Sequence, residues 1–550
     1  MTKSDVPPLI VQGDNTILVD VHTILFEEAR DELGRFAELE KSPEHMHTYK
    51  ISPLSLWNAA SSGIELEEIF DILDRYGRFP APENVRYNIG ETLKRWGKIR
   101  LEGTGDEGIL FLRVEDPYLH KELATAKSLA KILTKGEKGF FLELLNRGTV
   151  KAELIKIGWP VEDLAPLVEG ADLDVELNNL TVREYQKHGV EAFLGNGKPG
   201  TGFGTVVMPC GSGKTVLGIA AMAALKKQTL ILTPNVASLH QWRDEILSKT
   251  NLTEDQIGEY SGEQKIIKPV TLATYQVLVW RKDKTSPFTH FSLFRENDWG
   301  LIIYDEVHLL PAPVFKITAE LQARRRLGLT ATLIREDGAE GHVFSLVGPK
   351  RFDIPWKELE QQGWIAEAYC HEIRIDLPDN LQLPYASADK RKKYRIASEN
   401  PLKLQEAAEL VERHKNDQVL IIGQYIDQLE KMAKLLKADL ITGKTPNADR
   451  EVIYDRFKKG EIQVIVVSKV ANFAIDLPDA SVAIQLSGAF GSRQEEAQRL
   501  GRILRPKQKN SFFYSLISRF TTEEEFAMNR QKFLTEQGYK YQIEVRGEPL

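Results

Sequence analysis

An apolar run, Thr205-Val206-Val207-Met208, leads into Cys210-Gly211-Ser212-Gly213-Lys214-Thr215 and reopens as a helix-forming stretch from Val216 to Leu225. A strand that breaks into a glycine-rich turn and starts a helix predicts a phosphate cradle. Gly211 and Gly213 let backbone N–H groups turn inward around Ser212, and the helix N-terminus adds its partial positive charge. Lys214 then reaches the β- and γ-phosphates, and the Thr215 hydroxyl ligates magnesium. The spelling departs from the common phosphate loop, because Met208 stands where the first glycine would be.

Two later segments answer to that cradle. Trp299-Gly-Leu-Ile-Ile-Tyr304 reads as a buried strand ending in Asp305-Glu306-Val307-His308. Beside a phosphate loop, Asp305 is expected to hold magnesium through water and Glu306 to polarise the attacking water. An acidic helix N-cap is the plainer reading of two carboxylates after a strand, but it does not explain their company with Lys214. Far downstream lies Gln498-Arg499-Leu500-Gly501-Arg502-Ile503-Leu504-Arg505. Arg502 and Arg505 are three apart and share a helix face. Arginines delivered to a transferring phosphoryl group raise its rate by roughly 10³–10⁵. Supplied from a second domain, they make hydrolysis conditional on closure, as in a motor.

The ordered set resembles the superfamily-two helicases: Arg183-Glu-Tyr185-Gln186, the Lys214 loop, Thr274-Tyr275-Gln276, the DEVH run from Asp305, Thr330-Ala331-Thr332 and the Gln498–Arg505 run. Within that superfamily it is similar to the XPB family, through Arg335-Glu336-Asp337, Ser468-Lys469-Val470, Asp476-Leu477-Pro478 and Gly491-Ser492-Arg493-Gln494-Glu495-Glu496-Ala497. The resemblance implies an α/β fold of two RecA-like parallel-sheet lobes preceded by small α+β N-terminal domains. It implies ATP and Mg²⁺ as cofactors and 3′→5′ movement on DNA. Arg183 and Gln186 are then expected at the adenine, His308 and Asp476 near the nucleotide, and Gln498 with the arginines. Thr233 and Thr274 are expected to hold nucleic-acid phosphates. Thr330 and Thr332 are expected to couple hydrolysis to strand movement, with Arg335, Glu336 and Asp337 near duplex separation; an equally simple reading makes Arg335 and Asp337 a structural loop pair.

The densest positive cluster, Lys390-Arg391-Lys392-Lys393-Tyr394-Arg395, matches the small thumb insertion of XPB proteins, about 377–400. Its cations are expected to neutralise phosphates while Tyr394 stacks on an unpaired base; a solvated charged face is the alternative. The lobes are expected at 176–345 and 346–550, after an N-terminal α+β module (1–104) and a damage-recognition-like domain (105–175). In the first, hairpin strands flank Gly13-Asp14-Asn15, and helices are expected over Phe26–Leu39, from Pro53 to Gly63, around Leu66-Ile69-Phe70-Leu73, and over Glu83–Trp96. A hairpin around Gly103–Gly108 would complete a winged-helix-like module, although a protein-docking role fits as well. A further helix is expected from His120 to Leu133.

Composition adds limits. The 550 residues are 42% hydrophobic and 27% charged, an ordinary globular balance with room for several cores. Two cysteines exclude a disulfide framework, and His45 with His47 lacks a third metal ligand, so a solvated loop is expected there. The formal charge of −7 is not the basic footprint of many DNA-binding proteins; a local groove suffices for a translocase. No leader or membrane span is evident, so a cytoplasmic, nucleoid-associated monomer of prokaryotic type is expected, with a nuclease or repair protein as a possible partner. A duplex translocase that remodels without processive unwinding, and a non-catalytic DNA-binding scaffold, are the alternative functions.

Overall fold

The computed structural model of the chain describes residues 5–41, 45–106, 108–166, 169–195, 201–209, 211–283, 289–290, 297–310, 325–331, 343–344, 346–354, 356–468, 480–488, 510–537 and 539–546. It divides into two compact units. One comprises Met1–Glu38, Thr48–Met208 and Gly213–Ile354; the other comprises Leu39–His47, Pro209–Ser212 and Pro355–Leu550.

The first unit opens with β1 (Leu9–Val11) and β2 (Thr16–Asp20), paired antiparallel around the expected turn, with Asn15 left-handed at φ 66°. Helix α1 (Phe26–Leu33) is shorter than its apolar pattern suggests. Gly34, a poor helix former, caps it, and the chain turns extended in β3 (Glu38–Lys41) and β4 (Met46–Lys50). His47 is buried on β4, not on a solvated loop. Helix α2 (Pro53–Ser61) starts as the sequence requires: Ser52 and Ser55 exchange side-chain-to-backbone bonds of 3.0 Å, with Pro53 in the first turn. Helix α3 (Leu66–Tyr76) buries Ile69, Ile72, Leu73 and Tyr76, and α4 (Glu83–Leu93) buries Val85 and Ile89.

Strands β5 (Ile99–Gly103) and β6 (Ile109–Val114) form the expected hairpin, which runs across residue 104. Helix α5 (Pro117–Thr125) begins on Asp116, whose carboxylate accepts the N–H groups of Tyr118 and Leu119, and it stops well before Leu133. With β7 (Thr134–Lys135), β8 (Gly139–Glu143) and β9 (Glu162–Asp163), the hairpin lies at the middle of a sheet ordered β7-β8-β6-β5-β9. It therefore pairs onward rather than standing as a wing on the helices before it. Leu101, Leu112, Leu123, Phe140 and, from α6 (Arg147–Lys156), Val150 and Leu154 fill the core.

The seven-stranded sheet of this unit uses β10 (Phe203–Val207), β11 (Thr229–Thr233), β12 (Ile257–Tyr260), β13 (Val270–Thr274), β14 (Leu301–Asp305), β15 (Arg325–Thr330) and β16 (Lys350–Asp353). Their order is β12-β13-β11-β14-β15-β10-β16, every pairing parallel. Four of the five residues of β14 and all of β10, β11 and β13 are buried, as strands covered on both faces must be. Helices α7 (Glu184–Leu194), α8 (Lys214–Leu225), α9 (Val236–Lys249) and the single turn α10 (Tyr275–Leu278) accompany it.

The second unit repeats the plan. Helix α11 (Trp356–Gln361) precedes β17 (Ala368–Ile375), followed by α12 (Asp379–Ser387), α13 (Lys390–Ser398), α14 (Leu402–Arg413) and β18 (Val419–Gly423). Then come α15 (Ile426–Leu436), β19 (Asp439–Ile441), α16 (Asn447–Lys458), β20 (Val464–Ser468), β21 (Val482–Gln485), β22 (Ser511–Ser518), α17 (Thr522–Glu536) and β23 (Tyr541–Arg546). The strand order is β19-β20-β18-β21-β22-β17-β23, again parallel. Ile373, Leu410, Ile421, Met432, Val466, Ile484 and Leu516 make its core. Two parallel α/β sheets of this kind, preceded by smaller α+β parts, are the architecture expected from the resemblance.

A buried charge cluster fastens the five-stranded sheet to the seven-stranded sheet of the same unit. Asp163 accepts from Arg147 at 2.6 and 3.1 Å and from Lys151 at 2.8 Å, with all three side chains withdrawn from solvent. Phe203, at the start of β10, has Lys151 Nζ, Arg326 Cζ and Arg351 Cζ at 5.3, 5.2 and 5.5 Å from its ring centre. Burial lowers Lys151 to about 8, Asp163 opposes that, and Arg326 and Arg147 push the same way as burial. Burial alone would raise Asp163, but Arg147 and Lys151 hold it well below the usual carboxylate range. A depressed carboxylate stabilises the fold above its unfolded value of 3.8 and loses that contribution as the pH falls below it. Asp163→Asn should therefore destabilise by about 3–5 kcal/mol at neutral pH, because two buried cations lose their counter-charge. Urea unfolding of the full chain checks this, and an unchanged midpoint would contradict it.

Candidate active site

The parallel register brings three strand ends to one edge. Val207 of β10 stands opposite Thr330 of β15, and Asp305 of β14 opposite Leu329. Only β15 separates β10 from β14, so the phosphate-loop strand and the acidic strand end about 10 Å apart, two strand spacings. The chain leaves β10 for β11, beyond β14, which makes this edge a topological switch point, where ligands of open α/β sheets bind.

The loop between Val207 and α8 turns on two left-handed glycines, Gly211 at φ 77° and Gly213 at φ 83°. The backbone angle is what requires glycine at 213, and a Cβ there would also displace the Gln186 carboxamide, 2.5 Å away. Ser212 is buried, its hydroxyl donating to Pro209 O at 2.7 Å. Lys214 and Thr215 open α8, half-buried in its first turn. Gln186 does not present a free carboxamide: its Oε1 accepts from Arg183 N at 3.0 Å and its Nε2 donates to Gly213 O at 3.4 Å. It ties the α7 N-terminus to the phosphate loop, while Arg183 donates to Tyr185 Oη at 3.0 Å.

Lys214 Nζ lies 3.3 Å from Glu306 Oε1. Glu306 itself sits in the left-handed region at φ 47°, a strained conformation for a non-glycine residue at the end of a strand. Burial alone would raise Glu306, but Lys214 and then His308 bring it below its usual value. Asp305 goes the other way, to about 7, through burial and the neighbouring Glu306 charge, with Lys214 and a hydrogen bond from Trp242 opposing. Two adjacent carboxylates thus share one ammonium, and Glu306 Oε2 is buried without a hydrogen bond. A cluster short of positive charge, beside a hydroxyl at a helix start, fits a divalent cation held by Asp305 and Thr215.

Neighbouring residues fix this pair. His308 is buried in the turn after β14, its Nδ1 2.6 Å from Thr330 Oγ1 and 3.4 Å from Glu306 Oε2. Trp242 Nε1 donates to Asp305 Oδ2 at 3.1 Å, and Tyr275 Oη donates to Asp305 O at 2.7 Å. Neither Trp242 nor the Tyr275 hydroxyl is evident as part of the site from sequence. The available signal was a single large aromatic set in the polar stretch His240-Gln241-Trp242-Arg243-Asp244, shortly after the β11 end.

Thr233 is buried and its hydroxyl donates to Asn235 O at 3.1 Å; Thr274 is buried where β13 meets α10. Both stand at the strand ends where they were expected, but neither side chain is presented to solvent. Cys210, Thr332, Arg335, Glu336, Asp337, Asp476, Gln498, Arg502 and Arg505 lie outside the described residues.

The basic cluster divides in two. Lys390, Arg391 and Lys392 are exposed on α13, Lys393 lies over the Tyr385 ring, and Arg395 pairs with Glu399 at 2.6 Å. Tyr394 contradicts the expectation of base stacking. It is fully buried, edge-on to Phe526, with its hydroxyl donating to Gly488 O. Tyr394, Ala397 and Ser398 are the inward face of the helix, so the ring packs and the cations alone face water. Among the described residues no helix is long and apolar enough to cross a membrane, and no cluster of three metal-ligating His, Cys, Asp or Glu side chains occurs.

Three family models match successive parts of the chain: a helicase conserved C-terminal domain over residues 9–137, the res subunit of type III restriction enzymes over 179–335, and the ERCC3/RAD25/XPB C-terminal helicase over 359–548. The protein called DNA 3′-5′ helicase XPB in Kineococcus radiotolerans is 48% identical over 541 residues, covering 98% of this chain and 96% of that one. The Mycobacterium tuberculosis protein of the same name is 47% identical, covering 98% and 97%. A general transcription and DNA repair factor IIH helicase/translocase subunit XPB from Encephalitozoon cuniculi is 32% identical over 98% of this chain and 82% of its own. This chain belongs to the XPB family. Its parallel-sheet edge joins Lys214, Glu306, His308 and Thr330 in one chain of contacts, with Asp305 adjacent to Glu306.

The Tyr394 geometry has a measurable consequence. Tyr394→Phe keeps the ring and removes the bond to Gly488 O, so stability should fall by about 1 kcal/mol with unchanged affinity for single-stranded DNA. Paired denaturation and fluorescence-anisotropy titrations check this. A large loss of DNA affinity at unchanged stability would restore the stacking role.

Proposed function

We propose that this XPB-family chain is an ATP-dependent 3′→5′ DNA helicase that opens duplexes in DNA repair. The carrying observation is the Lys214–Glu306–Asp305 cluster on a parallel-sheet edge, beside a left-handed glycine loop that leads into a helix. Hydrolysis needs an anion cradle, a cation site and a carboxylate that can orient water, and this edge offers all three in one place. Magnesium, when bound there, would supply positive charge to offset the charge that develops on the phosphates. Asp305 and Thr215 are the residues that would hold it.

The Lys214–Glu306 pair adds a step of its own. A γ-phosphate competes for the same ammonium; as Lys214 turns to it, Glu306 loses its principal cationic neighbour and becomes the stronger base toward water. Gln498, Arg502 and Arg505 belong to this reading as residues of the second lobe that complete the pocket. Asp476 belongs with them near the ribose. The division into 1–104, 105–175, 176–345 and 346–550, with a thumb at about 377–400, is part of the same proposal. Lys390, Arg391 and Lys392 supply phosphate contacts from the thumb, independent of base identity. DNA in the cytoplasm, at the nucleoid, is the proposed track, and the working unit is a monomer.

Lys214→Ala and Glu306→Gln should each abolish DNA-stimulated phosphate release while leaving the circular-dichroism spectrum of the folded chain unchanged. Arg502→Ala and Arg505→Ala should each reduce turnover by roughly 10³-fold while nucleotide still binds. Phosphate release with single-stranded, duplex and forked DNA checks all four. Near wild-type turnover in Lys214→Ala or Glu306→Gln would overturn the assignment.

A further inference from the structure

Asp305, at the end of β14, is held by two elements that follow two other strands. Its main-chain oxygen accepts the Tyr275 hydroxyl from the turn after β13, at 2.7 Å. Its side-chain Oδ2 accepts the Trp242 indole N–H from α9, the helix after β11, at 3.1 Å. The strand beneath it, β14, sits between β11 and β15. Trp242 is among the largest fully buried side chains of the chain, at 1% exposure. A buried indole needs one acceptor for its single donor, and this one is aimed at a carboxylate rather than at a backbone carbonyl.

The ring reaches that carboxylate because of a gap in α8. A Cβ on Gly218 would lie 2.5 Å from Trp242 Cη2 and 3.2 Å from Cζ3. Gly218 stands four residues after Lys214 in the helix that the phosphate loop opens. Glycine inside a helix costs about 0.5–1 kcal/mol against alanine, so space for the indole is what it supplies here. Loop helix, indole and acid are thereby fixed against one another.

Resting on the nucleotide-site reading above, we propose that Trp242 is a positioning residue for the magnesium-binding acid. Its indole N–H stops the rotation of the Asp305 carboxylate and orients it toward the phosphate loop. Outer hydrogen-bond partners of metal ligands typically contribute 10–100-fold to metal affinity. The role predicts a change in metal affinity without a change in the fold or in metal-free nucleotide binding.

The test replaces Trp242 with 3-benzothienylalanine, which keeps the bicyclic shape and lacks the N–H, and in parallel makes Trp242→Phe and Asp305→Asn. Mn²⁺ binding to the full chain with a non-hydrolysable ATP analogue is read by electron paramagnetic resonance. Analogue binding in EDTA and thermal unfolding are measured on the same samples. The benzothienyl protein should bind Mn²⁺ about 10–100-fold more weakly, with unchanged melting and unchanged metal-free nucleotide affinity. Wild-type Mn²⁺ affinity in the benzothienyl protein, with binding collapsed in Asp305→Asn, would overturn the positioning role alone. Wild-type Mn²⁺ affinity in Asp305→Asn would instead overturn the site reading on which it rests. Trp242→Phe distinguishes a packing effect: lower melting confined to that variant belongs to the lost ring.

Discussion

One ammonium serving two adjacent carboxylates is the constraint on which the first lobe depends. Lys214 reaches Glu306 because the parallel order β10-β15-β14 sets the two strand ends two spacings apart, within the combined reach of a lysine and a glutamate side chain. A shift of β15 by one residue would turn Thr330 to the other face and remove the partner of His308. Burial then makes the pair consequential. In water, neighbouring carboxylates interact weakly; withdrawn from it, Asp305 rises to about 7 while Lys214 and His308 hold Glu306 down. Environments that push two like groups apart in this way mark a site built for divided roles.

The N-terminal part is fastened to this machinery by chemistry rather than by contact area alone. Phe203 opens the strand that ends at the phosphate loop, and cations from α6, β15 and β16 surround its ring. Asp163 on β9 is the counter-charge that makes the cluster tolerable. A strain on the five-stranded sheet therefore bears on β10 and β15, the two strands that carry the phosphate loop and Thr330. In the second unit the corresponding device is the buried pair Lys403–Glu523 at 2.7 Å, with Lys403 also donating to Leu486 O at the end of β21. Gly488, two residues on, is crowded by Arg530, whose guanidinium would lie 2.3 Å from a Cβ there. The chain is thus anchored shortly before the run that contains Arg502 and Arg505.

What the sequence discloses depends on whether a signal is local. The phosphate loop, the acidic strand, the Ser52–Ser55 cap and the first hairpin were legible because each is specified within a few residues. Helix α1 is shorter than its apolar spacing suggests because Gly34 caps it, and the chain becomes extended from Glu38. The hairpin after α4 was correctly placed, but its partners β8 and β9 come tens of residues later, and no nearby residue announces them. Gln186 and Trp242 are the same kind of case, since their partners, Gly213 and Asp305, are 27 and 63 residues away. Tyr394 differs. Its inward face was readable from Tyr394, Ala397 and Ser398 at helical spacing, and the surrounding positive charge obscured it.

The most direct measurement is a crystal structure of the full chain with magnesium and a non-hydrolysable ATP analogue. The account predicts phosphates in the Gly211–Thr215 loop, Lys214 Nζ moved from Glu306 to the terminal phosphate, and the metal on the side of Asp305 and Thr215. A nucleotide bound elsewhere, or one seated in the loop with the Lys214–Glu306 pair still closed at 3.3 Å, would contradict it.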